Sequence, residues 1–392
     1  MKTADTAAGA EVRGGPNWPL LALAMGAFGI GTTEFSPMGL LPVIAEGVNV
    51  SIPSAGLLVS AYAAGVMLGA PVMTLLFSRF GKRTALMTLM GIFTIGNIMS
   101  ALAPDYWTLL IARLVTSLNH GAFFGLGAVV AASVVPRDRR ASAVATMFMG
   151  LTIANIGGVP AATWLGQQIG WRAAFAGTAV LGLGAIAALW FALPQGEPGR
   201  RPEVRRELRV LIRPQVLIAL LTTVMGSAAM FTLYTYIAPT LETLTGASQG
   251  FVTLVLVLTG IGFTIGNGLG GRLADWSLNG ATAIFMGALA VIMLAIPFLI
   301  GSQTGAAITL TIWGAAAFAL VPPVQMRVMQ AAHEAPGLAS SINIGAFNLG
   351  NAIGAAVGSA VIGLNLGYAA VPVAGGVLAL AGLGLVWLGR RG

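Results

Sequence analysis

The residue most able to do chemistry is Glu34, which stands alone in the apolar run 18–45. That run is long enough to cross a bilayer, which takes roughly 20 apolar residues. A carboxyl group at mid-membrane is costly and normally marks an ion or substrate path. The second candidate is the stretch 111–125, where Arg113, Ser117, His120 and Phe124 follow at i, i+4, i+7 and i+11 and so share one helical face. Either this face points into a helix bundle, where Arg113 and His120 can influence Glu34, or Arg113 snorkels to the outer interface and His120 is a satisfied core histidine. Glu34 and His120 fall at similar depth, with Arg113 about two turns nearer the outside. An acid, a histidine and an arginine at that depth suit proton coupling.

The elements that position these groups follow from composition. Of 392 residues 57% are hydrophobic and 8% charged, against roughly 25% charged in a soluble domain. The long unbroken runs indicate helices, because barrel strands alternate. The 54 glycines suit close helix packing. The fold expected is an all-α membrane protein of about twelve spans: 18–45, 52–77, 84–103, 107–135, 141–165, 173–193, 216–239, 251–273, 281–300, 306–328, 338–364 and 368–388. Cysteine is absent, which excludes disulfides and thiol chemistry. Neither a metal nor another cofactor is expected, and without a His-Glu-x-x-His site, a phosphate loop or a sizeable soluble domain an enzyme or receptor has no support.

The net charge of +8 reflects topology and not nucleic acid. Lys2, Arg13, Arg79, Lys82, Arg83, Arg137, Arg139, Arg140, the arginines of 200–213, Arg272, Arg327, Arg390 and Arg391 all fall on the side of the termini, and Arg172 alone among loop cations falls opposite. This positive-inside pattern places both termini in the cytoplasm of a multi-pass membrane protein. Residues 1–17 read as a cytoplasmic tail and not as a signal peptide. The polar segment 194–214 divides the chain into bundles 18–193 and 215–392. Within it Val204, Leu208 and Leu211 oppose Arg205, Arg206 and Arg209, as in an amphipathic helix on anionic lipid or a solvated linker.

The halves repeat. Pro42 and Pro239, Gly69 and Gly266, Gly157 and Gly354, Gly166 and Gly363, Gly170 and Gly367, and Ser78 and Asp275 all stand 197 positions apart. Two six-helix halves related by an axis along the membrane normal, with substrate between them, form a transporter architecture. The segment opposite Glu34 in the repeat carries Tyr234 and Tyr236 without charge, and Asn267, Gln325, Asn343, Asn348 and Asn351 are neutral. Protons are therefore assigned to the first half, and a wall of aromatics and amides for substrate to the second. Each asparagine could equally make an interhelical hydrogen bond.

Residues Thr74 to Arg83, with Gly271 to Asp275 in the second half, resemble the signature loop of the major facilitator superfamily, Gly-x-x-x-Asp-Arg-x-Gly-Arg-Lys/Arg. Ser78 takes the place of the acid and Thr74 that of the glycine, so the acid survives as Asp275. The segment Gly150 to Arg172 resembles the antiporter signature of proton-driven exporters, with Val159 inserted before Pro160. Together with Thr32 to Pro42 and Asn119 to Gly125, these motifs resemble the arabinose-efflux-permease branch of the drug–proton antiporters. The resemblance implies a major facilitator fold working by alternating access, and export of a sugar, nucleoside or amphipathic drug in exchange for protons. A symporter importing a polar nutrient is the alternative. Site residues assigned on this basis are Glu34, Arg113 and His120 for protons. Phe35, Met38, Ser117, Phe124, Asn155, Tyr234, Tyr236, Asn343 and Asn348 are assigned to substrate, and Ser78, Arg79, Gly81, Lys82, Arg83 and Asp275 to a gating loop. The expected partners are the small-molecule substrate, protons and membrane lipids, with no nucleic acid, and the expected state is a monomer.

Overall fold

The computed structural model describes residues 17–50, 52–195 and 209–389, excepting the side chains of 38, 39, 41, 42, 52, 53, 56, 60, 167, 238 and 249. The tail and most of the connection 194–214, with the proposed amphipathic face of Val204 and Leu208, lie outside the described residues.

The described chain is helical throughout. In the first half the helices are α1 (Trp18–Gly47), α2 (Ile52–Phe77), α3 (Lys82–Leu102), α4 (Tyr106–Ser133), α5 (Arg140–Ile153), α6 (Val159–Gln168) and α7 (Trp171–Ala192). In the second half they are α8 (Pro214–Tyr234), α9 (Ile237–Thr245), α10 (Gln249–Trp276), α11 (Leu278–Leu299), α12 (Gln303–Ala319), α13 (Val321–Ala331), α14 (Pro336–Gly363) and α15 (Ala370–Leu388). Among the described residues eleven helical stretches are long and apolar enough to cross a membrane, some of them formed by two successive helices. Helix α1, 30 residues long and carrying Glu34 in its middle, has the length for a twelfth.

Local chemistry sets the ends. Asn17, Asp105, Ser248, Ser277 and Ser302 each accept a backbone N–H of the first turn of the helix that follows. Pro160 offers no N–H and its ring crowds the preceding turn. The chain answers with a π-helical turn over Ala154–Gly158, so that α5 and α6 form one bent span.

The repeat in the sequence is also a repeat in geometry. Helix starts at Trp18, Ile52, Lys82, Tyr106, Arg140 and Trp171 have counterparts at Pro214, Gln249, Leu278, Gln303, Pro336 and Ala370, offsets of 196 to 199 residues. Gly170 and Gly367 both have positive φ, 115° and 80°, in the turns before α7 and α15, which explains why this pair recurs as glycine. Asn49 and Gly246 form a second such pair, at 54° and 63°.

Packing follows the same two-fold plan. Within the first half α2 and α3 pack on α4, and α5 and α7 on α1; within the second α10 and α11 pack on α12, and α14 and α15 on α8. Between the halves α5 meets α10, and α14 meets both α2 and α4. Among the described residues, hydrogen bonds cross this seam toward the face from which α1 and α8 start. Thr74 Oγ1 donates to Ser341 Oγ (2.5 Å), Asn267 Nδ2 to the Ala145 carbonyl (2.6 Å) and Thr264 Oγ1 to Thr152 Oγ1 (3.1 Å). Toward the opposite face, α6 packs on α1 and α7, and α9 on α10 and α12, each within its own half.

Candidate functional site

A cavity lies between the halves, and the sequence-derived candidates sort themselves around it. Glu34, Phe35, His120, Phe124 and Asn155 line it from the first half, and Tyr234 and Asn348 from the second. The Glu34 side chain is 14% exposed, and its Oε2 stands 3.9 Å from His120 Nδ1. The expected match in depth of these two residues is thus a direct approach of their side chains. Tyr62, on α2, meets the same ring nitrogen, with its hydroxyl 3.2 Å from His120 Nδ1.

Arg113 is placed behind this group and not in the cavity wall. It is 1% exposed, donates from Nη1 to the Thr33 carbonyl (2.9 Å) and lies over the Tyr62 ring with Cζ 4.2 Å from its centroid. Among the described residues its Nε and Nη2 have no hydrogen-bond partner. A buried guanidinium is tolerated here because a carbonyl and an aromatic face meet it, and it holds the backbone of α1 one residue before the acid. Thr33 is held further by its own hydroxyl, which donates to Asn97 Oδ1 (2.6 Å), and Thr178 Oγ1 donates to the same oxygen (2.8 Å). Helices α1, α3, α4 and α7 are thereby tied together where Glu34 emerges.

Three expected substrate residues are engaged elsewhere. The Ser117 hydroxyl donates to the Leu114 carbonyl (2.7 Å), that of Tyr236 to the Ala355 carbonyl (3.0 Å), and Asn343 is locked between Thr223 (2.7 Å) and Gln325 (2.5 Å). None of the three lines the cavity. Helical periodicity puts Ser117 on the face of His120 and Asn343 on the helix of Asn348, but a partner decides which side chain reaches open space: for Ser117 a carbonyl of its own helix, for Asn343 side chains of two neighbouring helices. Met38 belongs to α1 by its backbone, and its side chain lies outside the described residues.

The cavity also contains groups that sequence reasoning passed over: Phe148, Phe231, Phe263, Phe347 and Ser227. Phe124 and Phe148 stack with centroids 5.0 Å apart, and Phe263 and Phe318 at 4.1 Å. Single aromatics in long apolar runs carry no signal of their own. Tyr62 was legible only as a lone phenol in mid-span.

The gating-loop residues divide in the same way. The Ser78 hydroxyl turns to the Leu75 carbonyl of its own helix (2.7 Å), and Gly81 and Lys82 open α3. Arg79 lies near the Phe80 ring (5.3 Å) and Arg83 over that of Trp190 (4.2 Å). Asp275 crosses the seam and caps α5. Among the described residues no three His, Cys, Asp or Glu side chains gather to hold a metal ion.

A cavity between repeating halves, with one acid and one histidine on the first half and aromatics and amides on both, suits a carrier of small molecules. The comparisons agree. The chain is 67% identical over 375 residues to the inner membrane transport protein YdhP of Escherichia coli strain K12, covering 96% of each chain. It is 32% identical to a probable sugar efflux transporter of Helicobacter pylori, covering 94% of each. Its fold is similar to that of the proton:xylose symporter XylE bound to 6-bromo-6-deoxy-D-glucose, with a TM-score of 0.77, 16% identity and 95% of each chain covered. With the family's sequence profile matching residues 23–355, the chain belongs to the Major Facilitator Superfamily.

Proposed function

We propose that this chain is a proton-coupled efflux transporter of the inner membrane, exporting a small organic solute such as a sugar, nucleoside or amphipathic drug by alternating access. The observation that carries the reading is the Glu34 carboxyl group facing the cavity between the halves with His120 beside it at 3.9 Å. Such an acid can take a proton in one state of the carrier and release it in the other, because the change of state changes the water and charge around it. If proton and solute favour opposite states, exchange follows from the shift in populations. The export direction draws support from the relative named as a sugar efflux transporter.

With the termini in the cytoplasm, as the loop charges indicate, the described bonds across the seam hold the halves together on the cytoplasmic side, a contact that has to break when the carrier opens inward. Bundles 18–193 and 215–392 then rock about the cavity, in a monomer that needs only lipid, protons and solute.

The test uses inside-out membrane vesicles with an acidified lumen and a panel of labelled sugars, nucleosides and amphipathic dyes. Accumulation of a solute in the lumen, dependent on the gradient and lost in Glu34→Gln, is the expected result. Full gradient-driven accumulation by Glu34→Gln overturns the role of Glu34. Solute leaving the lumen together with protons identifies an importer.

A further inference from the structure

We infer that Pro37 is a positioning residue for Glu34: by leaving the Thr33 carbonyl without a helical donor, it fixes the Arg113 guanidinium on that oxygen and off the Glu34 carboxyl. The role given to the acid rests on the transporter reading of the cavity; the geometry does not. In an α-helix each carbonyl accepts the N–H four residues on, so the Thr33 carbonyl belongs to the N–H of the residue at Pro37. Proline has no N–H, and its ring crowds the carbonyl four residues back. Yet α1 runs unbroken from Trp18 to Gly47, with Thr33 and Pro37 both buried. A carbonyl left unpaired out of water is expensive.

The missing donor comes from another helix. Arg113 Nη1, on α4, donates to the Thr33 carbonyl at 2.9 Å, while Nε and Nη2 have no partner among the described residues. The hydrogen bond that this buried guanidinium does make thus goes to the oxygen that the proline vacated. The Thr33 hydroxyl, bonded to Asn97 Oδ1 (2.6 Å), keeps that carbonyl from turning away. Glu34 is the next residue, and its Oε2 stands 3.9 Å from His120 Nδ1. A buried cation this near a carboxyl would ordinarily pair with it. Here the Thr33 carbonyl holds the cation behind α1, and the carboxyl is left to the cavity and to His120.

The second half supplies the contrast. Thr33, Glu34, Pro37 and Arg113 have Met230, Phe231, Tyr234 and Leu310 at their places in the repeat, each 197 positions on. None of those four is a proline, an arginine or an acid, and the helix there stops: α8 ends at Tyr234, and helix resumes at Ile237. In the first half the proline brings no break, because the guanidinium replaces the lost bond. Proline, arginine and acid stand together in one half and are replaced together in the other.

The test is two measurements on the full-length protein in lipid nanodiscs, neither of which needs a solute. The first is thermal unfolding of the native chain, Pro37→Ala, Arg113→Met and the double variant. Pro37→Ala puts an N–H opposite the Thr33 carbonyl and a good helix former in mid-helix, so its midpoint should not fall. The fall caused by Arg113→Met should be at least about 2-fold smaller in the Pro37→Ala background, where the carbonyl keeps a donor. Arg113→Met folding only in that background is the same result. The second measurement follows Glu34 by mass spectrometry as it reacts with dicyclohexylcarbodiimide, which couples to protonated carboxyl groups in apolar surroundings. Pro37→Ala releases the guanidinium to pair with the carboxyl, so coupling should slow about 10-fold or more, and adding Arg113→Met should restore it. Equal falls in midpoint in the two backgrounds, or unchanged coupling in Pro37→Ala, overturns the inference. Should Arg113→Met fold in neither background, the coupling rate of Pro37→Ala decides alone. Full driven transport by Glu34→Gln would sink the acid's part in the exporter reading and leave both of these results standing.

Discussion

Asp275, at the end of α10 in the second half, caps the first turn of α5 in the first half. Its Oδ1 accepts from the Ala141 N–H (2.7 Å) and its Oδ2 from the Ser142 N–H (3.1 Å), with the Ser142 hydroxyl closing on the same Oδ2. A carboxylate at a helix N-terminus meets both unpaired amides and the positive end of the helix dipole. Here the cap spans the seam, so it stabilises one arrangement of the halves. Removing it in Asp275→Ala is expected to weaken closure on this face by about 0.5–2 kcal/mol. The native chain has no cysteine, so a single cysteine at Val324, in the cavity wall, can report access. Maleimide labelling from the terminal face should then rise about 2- to 30-fold, and an unchanged rate would show that Asp275 does not hold the seam.

The counterpart of Asp275 in the repeat is Ser78, and the helix it would cap, α14, begins at Pro336 without a side-chain cap. The Ser78 hydroxyl is turned to Leu75 instead. Ser78→Asp should add a second cap across the same seam. The expected outcome is slower labelling of the Val324 cysteine from the terminal face and slower transport, by a factor similar to that lost in Asp275→Ala. Faster labelling in Ser78→Asp would count against the two-fold equivalence.

Gly125 lets α4 approach α14. A Cβ there would run into Ser341 Oγ, and the Ser341 Cα would lie only 2.8 Å away. Gly125→Ala should therefore force the halves apart on the terminal side and raise labelling of the Val324 cysteine. Because backbone as well as side chain is in the way, Ser341→Gly should not restore the native rate. Full restoration by Ser341→Gly would show that only the hydroxyl was obstructing.

Asp105 opens α4 in a loop outside the membrane. It accepts from the Thr108 N–H (2.9 Å), and this bond above all holds its carboxyl below the ordinary carboxylate range. A carboxyl lowered on folding stabilises the native state above its unfolded value and loses that effect as pH falls through its folded value. The first turn of α4 should thus be insensitive to pH between about 5 and 8 and begin to fray below about 4. Amide hydrogen exchange at Thr108 measures this, and in Asp105→Ala the turn should exchange faster at neutral pH with no further acid dependence.

Much of this protein was legible along the chain. Helical spans follow from apolar runs, which must satisfy their own backbone in lipid. The repeat follows from pairs such as Gly170 and Gly367, where both turns need a positive φ. Glu34 stood out because nothing else charged shares its run, while its equal depth with His120 left open whether the histidine or Arg113 would stand beside it.

Rotation and neighbours could not be read this way. Periodicity states that Arg113, Ser117, His120 and Phe124 share a face, but that face is wide, and the packing of α2 and α1 against it left two of the four in the cavity wall and two outside it. The repeat pairs Ser78 with Asp275, yet only contact across the seam shows which helix Asp275 caps. Asn155 and Asn348 are legible in the sequence as polar residues in apolar spans, assigned to substrate. Both border the cavity while one N–H of each amide goes to a carbonyl one turn back, because the neighbouring helices left space beside them. The order of residues sets what each helix can offer, and the close approach of distant helices decides which of those groups meets a partner and which is left for the solute.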